Sequence, residues 1–412
     1  MKRVVVTGMG IVSPLGNDLT SFWQALLLSK SGVRKLTKDH LQDSEHLEIK
    51  IGGTVEITTK DMEQLKYGKN KQNAMAFLAS KMAMEDANWI PQTEDEKYRT
   101  GVFLGAVKSH LSPLLHVTHQ IFKENFRIVP SEFYNHLNIF MTTSNVVTAY
   151  DIRGPTSAYG SACAAGQCSI AEGFNSIQDD DADVMIVGNA DHGIHSYLLN
   201  GLNRLGALNR KYADEPEKAS RPFDEDRGGF VAADGSGVLV LEEYEHAIKR
   251  NAKIYAELKA VSLCTESYHP TRPHLEGDGI FRTMETVMKR AGINPEDVGI
   301  IHTHGTSTTE GDSAEATAIG RLFPEPGPMI MGIKSNMGHM MAGVGGIQSA
   351  ALILALKNGV VPPILNLKNP LKIGDRVLNY VMDKPREKEA RFGITNNAGF
   401  GGLNCSLLFE KY

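Results

Sequence analysis

The 412-residue chain has only four cysteines, Cys163, Cys168, Cys264 and Cys405, and no two are spaced as CxxC. Four scattered thiols argue against a disulfide framework and a cysteine-based zinc site, so no metal is expected. No apolar run reaches the roughly 18 residues that a membrane span requires. The opening MKRVVVTGMGIV lacks an extended apolar core and a small-residue cleavage site. It reads as a first strand and not a signal peptide, and a cytoplasmic protein is expected. Basic residues are not in excess either. The 43 Lys and Arg against 48 Asp and Glu give a formal net charge of -5, which argues against a general nucleic-acid binder.

Glycine, by contrast, is plentiful: the 40 glycines sit between apolar runs, as expected for tight turns and close backbone approaches. Strand-like segments are Val4–Thr7, Gly101–Leu104, Val184–Val187, Gly237–Glu242, Ile254–Ser262, Gly299–Thr303, Met329–Ile333, Phe392–Asn396 and Ser406–Phe409. Several are continuously apolar, the pattern of strands buried on both faces. Helical segments lie between them at Leu19–Leu28, Asn73–Asp86, Ala164–Ile177, Gly279–Ala291, Asp312–Leu322 and Gly345–Asn358. The alternation predicts an α/β fold. Helices starting just after Cys163 and near Gly345, each following a glycine-containing turn, hint at two similar halves, 1–251 and 252–412.

Cys163 lies in GPTSAYGSACAAGQCSIAEGF, where a strand-like segment ends near Tyr159 and an Ala-rich helix follows. A thiol at a helix start feels the positive end of the dipole, which favours thiolate. Composition alone fits an inert buried cysteine better than a nucleophile. Cys168 lies deeper in the helix and suits packing. His304 (IIHTHGTSTTEGD) and His339 (GIKSNMGHMMAGVGG) each follow an apolar strand, where α/β proteins place functional groups. His302 and His304 alternate, so only one is expected to reach a shared site. Taken singly, these could equally be satisfied loop histidines. Lys334 and Glu315 are a further candidate pair, for which an exposed salt bridge is the plainer reading. In NNAGFGGLNCSLLFE, Gly399, Gly401 and Gly402 surround Phe400 and could let a backbone N–H serve as an oxyanion donor. VTGMGIVSPLG lacks the third glycine of a dinucleotide loop at the needed spacing.

GSACAAG around Cys163, HGTSTTEGD from His304, KSNMGH from Lys334 to His339, and GFGGLN from Gly399 stand in the order and spacing of the condensing enzymes. With RPFDEDRGGFVAADGSGVLVLEE, the chain resembles the β-ketoacyl-[acyl carrier protein] synthase II group and its type II polyketide and polyene relatives from Lys2 to Lys411. The resemblance implies a thiolase-like five-layer α-β-α-β-α fold of two βαβαβαββ halves, and a dimer. It implies that an acyl group moves from carrier-protein phosphopantetheine to Cys163, and that a malonyl-carrier protein then loses CO₂ and attacks the thioester. The N–H groups of His304 and His339 would stabilise the enolate, with His339 polarising the thioester and His304 activating water or assisting CO₂ loss, and Lys334 and Glu315 would orient them. The N–H groups of Cys163 and Phe400 would form the oxyanion hole, and Thr306 and Thr308 would contact pantetheine. No bound cofactor is implied.

Three positions depart from the family pattern. Ala398 stands where a second gating Phe is usual, Lys108 at an apolar acyl-pocket position, and Gly206 at a basic docking position. Lys66, Lys69, Lys71 and Arg127 are candidates for docking the acidic carrier protein. Lys108 is expected to pair with an acid, to reach water or to meet a polar acyl group. A thiolase is disfavoured by the two histidines, and a non-catalytic chain-length factor by the presence of Cys163. A homodimer and the catalytic half of a heterodimer with a chain-length-factor-like subunit both remain.

Overall fold

Strands that are mostly buried along their length join in one continuous ten-stranded sheet, whose two halves form separate layers, in this computed structural model, which describes residues 2–38, 40–41, 47–123 and 129–412. The first five are β1 (Val4–Val12), β2 (Thr100–Gly105), β3 (Thr156–Tyr159), β4 (Val184–His192) and β5 (Asp234–Glu243). The second five are β6 (Ala256–Thr265), β7 (Val298–His302), β8 (Met329–Met331), β9 (Phe392–Gly399) and β10 (Leu403–Lys411). Their order across the sheet is β8-β7-β9-β10-β6-β1-β5-β4-β2-β3. Counted outward from the centre, each set of five therefore has its strands in the sequence first, fifth, fourth, second, third. In each set the fifth strand is antiparallel to both neighbours and the second is parallel to both. The sets meet in a short antiparallel contact, from Val4 opposite Leu258 to Val6 opposite Ala256.

The longer helices are α1 (Leu19–Leu27), α2 (Lys71–Asp86), α3 (Leu111–Lys123), α4 (Met141–Tyr150), α5 (Ala165–Gln178), α6 (Ser196–Arg204), α7 (Asp278–Ala291), α8 (Thr309–Leu322) and α9 (Gly345–Asn358). Taking the helices that cover the sheet, the first half runs β1-α2-β2-α4-β3-α5-β4-β5. The second runs β6-α7-β7-α8-β8-α9-β9-β10. Both are the expected βαβαβαββ. The pairs α2/α4 and α7/α8 cover the outer faces, while α5 and α9 pack on each other between the two halves. That is the five-layer α-β-α-β-α arrangement.

Burial explains the layering. α9 is buried from Gly345 to Leu356, as a helix that is apolar all round must be. It shares the central core with Ile170, Ala171 and Leu407, whereas Phe77 with Val102 and Met284 with Ile301 lie in separate outer cores. Gly345 permits the middle layer: a Cβ there would come within 2.7 Å of Gln167 N. Helices α3, α4 and α6 were not anticipated. The first follows the polar end of GVFLGAVKSH, and neither α4 nor α6 has a side-chain cap that marks its start.

Candidate active site

The two halves deliver equivalent loops to one place. In the first, β3 ends at Tyr159 and the chain turns through Ala162, a non-glycine residue at φ 47°, to start the helical segment that carries Cys163 into α5. In the second, β8 leads through the short helix Lys334–Met337 to His339 and then α9. His339 N donates to Val231 O at 2.6 Å, fixing that loop on the first half. Left-handed Ala162 beside the cysteine and Met341 (φ 51°) beside the histidine are strained positions of the kind that cluster at active sites.

Cys163 Sγ lies 3.1 Å from His339 Nε2. The His304 ring stands perpendicular to the His339 ring, with 5.5 Å between centroids, and Phe230 packs edge-on against His339. His304 follows β7 by two residues, and its Nδ1 meets Asn397 Oδ1 at 2.9 Å. His302 does not join the site: it is fully buried, with Gln348 Nε2 3.0 Å from its Nδ1. The alternation therefore separated the two histidines correctly.

Among the described residues no ion pair links Lys334 and Glu315. Instead they hold the two sides of one backbone segment. Glu315 accepts the N–H groups of His304 and Gly305, each at 2.8 Å. Lys334 donates to His304 O and, at 3.0 Å, to Gln348 Oε1. Both side chains are buried, so the expected exposed salt bridge gives way to an internal brace. Asp312 continues it by accepting from Thr306 N at 2.8 Å.

A cavity of about 760 Å³ opens onto Cys163, His304 and His339. Thr306, Thr308, Ala398, Phe400 and Gly206 also line it. Thr306 and Thr308 are joined hydroxyl to hydroxyl at 2.9 Å, and Phe400 is 41% exposed at the cavity. A Cβ on Gly399 would approach Ser161 O to 3.0 Å, so glycine lets the Phe400 loop lie against the cysteine turn.

Burial sets the electrostatics. It pushes the Cys163 thiol up to about 12, while the Lys334 charge pulls the other way. The thiolate expected from the helix start is thus corrected to a neutral resting thiol, because loss of water outweighs the nearby positive charge. Both imidazoles are held well below the usual histidine range, by burial first and the Lys334 charge second. Burial also raises Glu315 and lowers Lys334.

The remaining predicted residues divide. Lys108 pairs with fully buried Asp191 and donates to His192 O at 3.0 Å, so of the options for it, pairing with an acid holds. It is its neighbour Val107 that lines the cavity. Lys71, also a docking candidate, is partly buried and makes a 2.7 Å ion pair with buried Asp234. Lys66 and Lys69 are exposed. Arg127 lies outside the described residues. Asn397, Gln348, Phe230 and Asp191 were missed. Asn397 and Phe230 carried a sequence signal, lying in the NNAGFGG and RGGFVAADG segments, whereas Gln348 and Asp191 carried none.

A cysteine facing two neutral histidines, at matching loops of a duplicated α/β fold, defines a condensing acyltransferase. The family descriptions "Beta-ketoacyl synthase, N-terminal domain" and "Beta-ketoacyl synthase, C-terminal domain" match residues 1–247 and 255–368. A mitochondrial 3-oxoacyl-[acyl-carrier-protein] synthase of Arabidopsis thaliana is 35% identical over all of this chain and 93% of its own length. 3-Oxoacyl-[acyl-carrier-protein] synthase 2 of Vibrio cholerae is 35% identical over 100% and 99%. Among solved structures, a β-ketoacyl synthase from Burkholderia phymatum superposes with a TM-score of 0.91 at 29% identity, covering both chains fully. The ishigamide ketosynthase/chain length factor gives 0.90 at 26%, covering 100% of this chain and 99% of that one. The chain belongs to the β-ketoacyl synthase family.

Proposed function

We propose that this chain condenses an acyl thioester, held on Cys163, with malonyl-[acyl carrier protein], both substrates arriving on phosphopantetheine. The observation that carries the reading is the 3.1 Å approach of Cys163 Sγ to His339 Nε2, with His304 on the same cavity. In the first stage Sγ attacks the thioester carbonyl as His339 Nε2 takes the thiol proton. The N–H groups of Cys163 and Phe400 receive the oxyanion, and the proton passes to the departing pantetheine thiol. Thr306 and Thr308 hold the pantetheine arm. In the second stage CO₂ leaves the malonyl group and negative charge builds on its thioester oxygen. His339 stabilises that charge, His304 assists CO₂ loss, and the carbanion attacks the acyl-Cys163 thioester, breaking the bond to Sγ, which leaves as a thiolate and regains a proton, while the β-ketoacyl chain stays on the carrier. Lys334 and Glu315 keep His304 in place. The test separates the stages: His304→Ala should still yield acyl-Cys163 but lose release of CO₂ from malonyl-[acyl carrier protein]. Equal loss of both stages would remove the division of labour.

The same proposal treats 1–251 and 252–412 as the two halves, supported by the change from one strand set to the next between Glu243 and Ala256. Carrier-protein docking at Lys66 and Lys69, with Arg127 as a further candidate, and a cytoplasmic setting belong to it as well. Among the described residues no helix is long and apolar enough to cross a membrane. A second reading makes the chain the catalytic half of a heterodimer with a chain-length-factor-like subunit, and its likeness to the ishigamide ketosynthase/chain length factor supports it. Size-exclusion chromatography with and without candidate partner subunits separates the two.

A further inference from the structure

We propose that Asn397 is a positioning residue that keeps the His304 proton on Nδ1 and so leaves Nε2, the nitrogen facing the cavity, as a base. The inference rests on the functional reading above and deepens it. The backbone sets up the contact. Thr395 on β9 lies opposite His302 on β7, in parallel register. Two residues further on come Asn397, still on β9, and His304, two residues past the end of β7, which brings the two side chains together. The contact is close, with Asn397 Oδ1 2.9 Å from His304 Nδ1, and Asn397 is fully buried. An amide oxygen only accepts, so this bond requires a proton on Nδ1. A neutral imidazole carries one N–H, so Nε2 then has a free lone pair.

Among the described residues, Lys334 is the group placed to oppose this. Its Nζ is 3.4 Å from the same Nδ1, a longer and weaker approach, while it donates to His304 O and Gln348 Oε1. The amide nitrogen of Asn397 is buried with no protein partner among the described residues. A buried orphan donor calls for an explanation, and holding Oδ1 on His304 supplies one. His339 differs. Its Nδ1 is also buried without a partner among the described residues, so none of them fixes its proton. His339 can accept from the Cys163 thiol in one stage and donate to the enolate oxygen in the next. His304, with its proton fixed, serves as an acceptor throughout. The two histidines are therefore not interchangeable hydrogen-bond donors, and Asn397 makes the difference.

The test is to label the full-length protein with ¹⁵N-histidine, record two-bond ¹H–¹⁵N correlation spectra, and assign His304 by its loss in His304→Ala. In the wild type His304 should have a protonated Nδ1 and a bare Nε2. Asn397→Leu should mix the tautomers and slow malonyl-thioester decarboxylation about tenfold or more, while loading of Cys163 stays within about twofold. Asn397→Asp keeps the acceptor and should restore the Nδ1–H form. Its negative charge stabilises the imidazolium, so the decarboxylation pH profile should move to higher pH. A wild-type His304 protonated on Nε2 would overturn the proposal, and so would an unchanged tautomer in Asn397→Leu. The tautomer is read without turnover, so an acyl group mapping elsewhere than Cys163 would sink the functional reading and leave this result standing on its own.

Discussion

The resting state of Cys163 is open to direct measurement through its alkylation rate. Burial moves the thiol from an ordinary 9.0 to about 12. Three units correspond to about 4 kcal/mol against the thiolate. That is an upper figure, because the side chain is only half-buried and opens onto the cavity. At neutral pH the thiolate fraction falls from about one in a hundred to as little as about one in 10⁵. Iodoacetamide alkylation, followed by peptide mapping at Cys163 from about pH 6 to 10, should rise close to tenfold per unit with no plateau. Lys334→Met removes the cation that favours the thiolate and should slow the reaction further at every pH. A plateau below about pH 8 would refute the reasoning, because the Lys334 charge and the helix start would then outweigh burial.

Glu315→Ala strips the acceptor from two buried N–H groups, so unfolding free energy should drop by about 2 kcal/mol or more, measured by denaturant titration. Lys69→Glu should raise the apparent carrier-protein KM at low salt and leave stability unchanged. Lys71→Glu instead sets a like charge against buried Asp234 and should destabilise by about 3–5 kcal/mol. Replacing the Lys108–Asp191 pair by Ile and Asn should shift acyl preference toward longer saturated chains, compared in a competition assay; identical relative rates would deny Lys108 a role.

The fold was legible where the sequence is repetitive in chemistry. Continuous apolar runs such as Val184–Val187 sit on both-face-buried strands, and the apolar Gly345–Asn358 is the helix it suggested. Segments such as Met141–Tyr150, which place Thr and Asn on buried positions, gave no helical stripe to read. Cys163, His304 and His339 stand out because each lies in a glycine-containing turn beside a strand end. Their supporting groups were harder to read, because that support arises from pairing between distant strands. Asn397 meets His304 only once β9 lies beside β7, and Asp191 meets Lys108 only once β4 lies beside β2. The ionisation of Cys163 was misread because a helix start is visible in sequence and the depth of its burial is not.

The central claim is that the acyl group is carried by Cys163. Incubation with acyl-[acyl carrier protein], followed by intact mass and peptide mapping, tests it most directly. The account predicts one acyl adduct on the peptide containing Cys163 and none in Cys163→Ala. An adduct that persists in Cys163→Ala, or that maps to Cys168, would contradict it.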